Sequence, residues 1–229
     1  MRYWEIDFLR GLGIILMLIS NFVTDLQIFL NHPQNLFWRF FALFTASIFV
    51  FTSGISFQVS SKQKILKRFL KLIFLGFVIT AVTAILLKDG AIYFGILHFL
   101  ALAWIIALPF SNLGYLNIPL AFLFILLHFF VDGVHANTLL LLPLGITPSN
   151  FYTFDYFPIF PWFGVFLLGL PVGELFLQKN PSENKNIFIS IITYLGRNSL
   201  KIYLIHQPIF VGLILLFFEP DFSIFRDLA

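Results

Sequence analysis

FLRGLGIILMLISNFVTDLQIFL, from Phe8 to Leu30, is a 23-residue stretch in which Arg10 and Asp25 are the only ionisable side chains. As an α-helix it rises about 35 Å, enough to cross a hydrocarbon layer of ~30 Å. A water-facing helix of this length carries a continuous polar face. This one has only isolated polar residues. The same reading extends over the whole chain. Hydrophobic residues make up 59% of the sequence, charged residues 11%, and mean hydropathy is +0.94. A soluble domain carries roughly 25% charged residues, so this chain has too few to cover a surface in water. A lipid-facing surface accommodates its 33 Phe.

Outward from that first run the pattern repeats. Further apolar runs cover about Phe40–Val59, Phe69–Leu87, Ala91–Phe110, Tyr115–Val131, Pro158–Leu177 and Ser199–Phe218, with a half-length run at Ile187–Leu195. The expected fold is an all-α, polytopic transmembrane helical bundle. About seven spans are expected, within a range of six to eight, in a single domain over residues 1–229. The connection from Asp132 to Phe157 contains HANTLLLLPLGITPSN, whose apolar patch is too short to span and reads as an interfacial or re-entrant element. Prolines 158 and 161 suit a helix beginning near Pro161, and Gly169 and Gly173 form a GxxxG close-packing face. The start, MRYWEIDFLRG, reads as a retained first helix, because its apolar run is too long for a signal peptide.

Charge sets the expected orientation. Arg2, Arg10, Lys62, Lys64, Lys67, Arg68, Lys71, Lys179, Lys185, Arg197 and Lys201 fall on one side, and Arg39, Lys88 and Arg226 on the other. The richer side is cytoplasmic, which places the N-terminus there and the loop holding His32 outside, in a cell membrane. There are no Cys residues. That excludes disulfides, thiolate nucleophiles and Cys-ligated metals. No His spacing argues for a metal either, and nothing calls for a nucleic acid.

Ionisable and polar groups inside a span are costly and each needs a reason. Asp7 and Arg10 share a helix face, as an interfacial ion pair or as an anion site. Asn21 lies deep in the first run, Asp25 one turn further, and His32 just past the helix end before Pro33. Asn21 can bond a neighbouring helix. His32 is either a solvated loop residue or a general base or acyl carrier, with its ring oriented by Asp25. His98, His128 and His206 lie in later spans, either bonding neighbours or lining a polar cavity. The run SSKQKILKRFLK carries five positive charges from Lys62 to Lys71. It anchors to anionic lipid or draws a phosphate-rich cofactor from the cytosol.

Five blocks, in order, carry a resemblance: EIDFLRGLGIILMLISN with a His after a short loop, SIFVFTSGISF, FGILHFLAL, FPWFGVFLLGLPVG and LGRNSLKIYLIHQP. Together they resemble the membrane acyltransferase family typified by heparan-α-glucosaminide N-acetyltransferase, from Tyr3 to about Phe218. The resemblance implies transfer of an acetyl group from cytosolic acetyl-CoA to an acceptor across the membrane. It implies a catalytic role for His32 and Asn21; Asp25 joins them only as the carboxylate expected to orient the His32 ring. Charge and side of the membrane add Arg10, Lys67, Arg68 and Arg197 as candidates for the CoA phosphates. Asp7, His98, Trp162, Asn198, Ser199 and His206 are expected along the substrate cavity. The lysosomal enzyme has more spans and a lumenal domain, and it differs at the position of His98. The expected acceptor is therefore an amino or hydroxyl group of an envelope glycan or glycolipid rather than heparan sulfate. Competing classes are a small-molecule transporter or lipid flippase, and a structural subunit. No pair of matching discontinuous helices, the trace of transporter repeats, is seen. The Phe-rich faces suit membrane lipid or a second copy in a homodimer.

Overall fold

The computed structural model describes residues 3–30, 33, 35–87, 90–180 and 186–217. Its helices are α1 (Trp4–Phe29), α2 (Leu36–Gln58), α3 (Lys62–Leu87), α4 (Ile96–Ile106), α5 (Asn117–Val131), α6 (Ile159–Leu177), α7 (Ile187–Arg197) and α8 (Ser199–Phe217). No β-strand is present among the described residues, so the all-α expectation holds. Among the described residues six helical stretches are long and apolar enough to cross a membrane, and α4 and α7 are shorter apolar helices. The chain is a polytopic helical membrane protein. The segments form two compact units: Met1–Thr52 with Asn180–Leu228, and Ser53–Lys179 with Ala229.

In the first unit α1 is flanked by α7 and α8. Glycine decides how closely α7 approaches. A Cβ on Gly11 would overlap the carbonyl of Ile192, and one on Gly196 would overlap the carbonyl of Asp7. The two backbones therefore touch where they cross, the close approach that small residues permit between membrane helices. Helix α7 starts at Asn186, whose side chain accepts from the N–H groups of Phe188 and Ile189 at 2.9 and 3.4 Å. Its outward stripe, Ile187, Phe188, Ile191 and Tyr194, is exposed and apolar. Helix α8 meets α1 through Phe22 and Phe210, edge to face at 5.2 Å. The early part of α2 packs Ile48 and Phe49 against Gly13.

In the second unit α3 pairs with α4 and α5 with α6. Gly164 of α6 lies against the Ala121 carbonyl and Ile125, while the end of α2 brings Gly54 onto the Phe166 carbonyl and the Gly169 backbone, and Gly173 faces Ile55 and Gln58. Gly169 and Gly173 thus form the close-packing face expected of them. Phe160 has non-helical backbone angles, so the regular part of α6 begins at Pro161. The core centres on Trp104, whose indole N–H donates to Ser53 Oγ at 2.8 Å and whose ring meets Phe57 edge on.

One segment differs in detail from the sequence expectation. The run Ala91–Phe110 is not one continuous helix: residues 90–95 are largely non-helical, α4 covers eleven residues, and a 3-10 turn follows at Leu108–Phe110. The physical reason lies in the strap 151–157. Thr153 donates to the Ala91 carbonyl at 2.8 Å, and the N–H groups of Phe154 and Phe157 donate to the Gly90 and Phe94 carbonyls at 3.4 and 3.0 Å. Asp155 Oδ2 accepts from the first N–H of α4, that of Ile96, at 3.0 Å, a negative group where a helix start favours one. The apolar patch of the long connection forms a 3-10 helix, Leu139–Leu144. It is closed by Gly145 in the left-handed region at φ +100° and leaves Leu140 87% exposed.

Candidate active site

Two polar stations lie on α1, both within the first unit. The first is Asp7, nearly fully buried. Arg10 Nη1 donates to its Oδ1 at 3.0 Å, and Arg197 Nε lies 3.5 Å from its Oδ2. The Gly11–Gly196 crossing makes this possible, because it seats the last turn of α7 directly on the Asp7 turn. A carboxylate between two guanidinium groups leaves one net positive charge. The Arg197 side chain is half exposed and the Arg10 side chain 19% exposed. Asn198, whose amide donates to the Tyr194 carbonyl, ends α7, and Ser199 opens α8 beside the same station.

The second station lies about 16 Å further along α1, the rise over the eleven residues from Arg10 to Asn21. Here α8 supplies the partners. Asn21 Nδ2 is 2.8 Å from His206 Nε2. Gln207 Nε2 donates to Asp25 Oδ1 at 2.8 Å. His206 Nδ1 is 2.6 Å from the Tyr203 carbonyl oxygen. Asn21 and Asp25 are one turn apart on α1, and two consecutive residues of α8 address them. The other carboxylate oxygen, Asp25 Oδ2, is buried and has no hydrogen-bond partner among the described residues. A buried carboxylate with one oxygen held and the other open can accept a proton or a hydrogen bond from a third group.

The structure therefore brings together Asp7, Arg10, Arg197, Asn198 and Ser199 at one end of α1, and Asn21, Asp25 and His206 in its other half. His32 lies outside the described residues. Gln207 is a site residue that the sequence reading missed. The available signal was a second long polar side chain beside His206 in an otherwise apolar span.

The remaining candidates belong to the second unit. His98 is buried, stacked on Phe94 and edge on to Phe77, with Nε2 3.4 Å from Thr80 Oγ1. Gly76 makes room for that ring. Trp162 is buried against Phe157, with ring centroids 4.7 Å apart. Arg68 stacks its guanidinium 4.6 Å above the Trp104 ring, a cation–π contact. Lys67 lies beside it on α3, in the exposed basic run.

A family model described as heparan-alpha-glucosaminide N-acetyltransferase, catalytic, matches residues 2–208. No curated protein and no solved structure gives a significant match.

Proposed function

The chain belongs to the heparan-alpha-glucosaminide N-acetyltransferase catalytic family, and on that premise we propose that it moves an acetyl group from cytosolic acetyl-CoA to an amino or hydroxyl group of an extracytoplasmic sugar or glycolipid. Membrane acetyl transfer is the family's general activity. The observation that carries it is the pair of stations on α1. A cationic one at Asp7, Arg10 and Arg197 is separated from a hydrogen-bonding one at Asn21, Asp25 and His206 by about half the ~30 Å hydrocarbon thickness.

Each station suits one half of the chemistry. Guanidinium groups bind phosphate oxygens with charge-assisted hydrogen bonds, so Arg10 and Arg197 hold the nucleotide end of the donor at the cytoplasmic face. The basic run that includes Lys67 and Arg68 attracts polyanions such as the donor from the cytosol. The thin pantetheine arm then carries the thioester along α1 toward Asn21. There an Asn21 N–H donates to the carbonyl oxygen as negative charge develops on it.

His32 takes the proton from the acceptor as its nitrogen or oxygen attacks the carbonyl carbon. The C–S bond breaks, and the proton passes to the CoA thiolate. Alternatively His32 attacks first and carries the acetyl group. Burst kinetics in a single-turnover experiment distinguish the two routes. The open oxygen of Asp25 suits orienting the imidazole. Asn198 and Ser199 stand with Asp7 at the donor's end of α1, and within the second unit His98 and Trp162 offer polar and aromatic contacts of the kind a sugar needs.

Transfer of radiolabelled acetyl from acetyl-CoA to an amino-sugar acceptor by the purified protein tests the reading. His32→Ala should abolish transfer while leaving acetyl-CoA binding intact. Unchanged transfer in that variant would overturn the assignment of His32.

A further inference from the structure

We propose that His206 is a positioning residue that fixes which end of the Asn21 side-chain amide faces the reacting acetyl group. The inference rests on the acetyl-transfer reading for its consequence, but not for its geometry. His206 is only 5% exposed, and both of its ring nitrogens are engaged. Nδ1 lies 2.6 Å from the Tyr203 carbonyl oxygen. A carbonyl oxygen only accepts, so Nδ1 carries the hydrogen. In the neutral ring Nε2 then holds a lone pair and only accepts. The group of Asn21 at 2.8 Å from Nε2 must therefore be its NH2.

That chain of donors decides the amide orientation chemically, where positions of N and O alone would leave a 180° ambiguity. One N–H of Asn21 is spent on His206. The second N–H and Oδ1 remain for other groups, in fixed places. An imidazole with hydrogens on both nitrogens would demand an acceptor from Asn21 and turn the amide over. With His206 absent, nothing else among the described residues holds that end. Helix α8 repeats the device at the next position, because Gln207 holds Asp25 by one oxygen. The two α1 groups that the reading places at the chemistry are thus both oriented from consecutive α8 residues.

The test has two arms. The first uses no activity: nitrogen NMR of histidine-labelled wild-type protein in detergent, with the His206 signals assigned by their loss in His206→Gln. The expected result is a pyrrole-like Nδ1 and a pyridine-like Nε2, with Nε2 alone moving strongly in Asn21→Leu. A hydrogen on Nε2 in the wild type overturns the proposal. The second arm is a double-mutant cycle on acetyl transfer. His206→Phe and Asn21→Ala should each lower kcat about 100-fold, with KM for acetyl-CoA within about twofold. The double variant should be no worse than Asn21→Ala alone. Additive losses, or a loss confined to KM, would show that His206 does not act through Asn21 and would overturn it. If the wild type transfers no acetyl group at all, the functional reading falls, and the tautomer result still decides the His206–Asn21 pairing.

Discussion

Asn21 is a half-buried amide in a transmembrane helix, and its side-chain partner among the described residues is 185 positions away in the chain, on α8. Asn21→Ala removes the donor proposed for the developing oxyanion. Acetyl transfer should fall by about 10²–10³ in kcat, with folding little changed, as measured by turnover alongside thermal melting. Arg197 makes a different case. Its side chain is half exposed, and Asp7 keeps Arg10 as a partner when it is lost. Arg197→Ala should therefore leave the fold intact and weaken acetyl-CoA binding about tenfold, or ~1.4 kcal/mol, as read by calorimetric titration. Unchanged affinity would remove Arg197 from the phosphate site. The polar residues of the site were legible one by one, because an Asn, Asp or His in an apolar run is conspicuous. Their pairing was not. No local spacing joins Asn21 to His206 or Asp25 to Gln207, and the hydrogen on His206 follows only once the Tyr203 carbonyl is seen beside the ring.

Among the helices, the α1–α7 crossing depends on Gly11 and Gly196, where a Cβ would overlap a carbonyl of the opposite backbone. Gly196→Ala should destabilise by about 3 kcal/mol or more and separate Arg197 from Asp7. Gly212→Ala in α8, where a Cβ meets nothing within 4 Å, should be neutral or stabilising by up to ~1 kcal/mol. Paired thermal melts in one detergent compare them. The long connection offers a pH test. The Tyr156 hydroxyl donates to the Leu142 carbonyl at 2.8 Å, and burial pushes the phenol up from 10.0 to about 12. Its folded value lies above its unfolded one, so its contribution is complete below pH 10.0 and is lost as pH rises through about 12. Protease resistance of the 132–157 segment should stay level to about pH 10 and fall above it, and Tyr156→Phe should remove that alkaline limb. Helix α1 was legible because length and composition alone specify a span. The shortened α4 was not, because the strap that ties down residues 90–96 comes from about sixty residues later in the chain.

At the scale of the molecule, exposed Phe74, Phe77, Ile85, Phe129 and Phe130 require an apolar surround, and six stretches among the described residues have the length to cross one. Composition alone makes this legible, with 59% hydrophobic and 11% charged residues. The number of spans was less so, since α4 and α7 each fall short of a full crossing and hydropathy does not distinguish a half-length helix from a weak span. The central claim is vectorial transfer: donor on one face, acceptor on the other. It is tested most directly in sealed proteoliposomes, with acetyl-CoA trapped inside and a membrane-impermeant amino-sugar oligosaccharide outside. The account predicts acetylated sugar outside that depends on His32, and none when donor and acceptor share the outer compartment. Equal product with both on one face would contradict it.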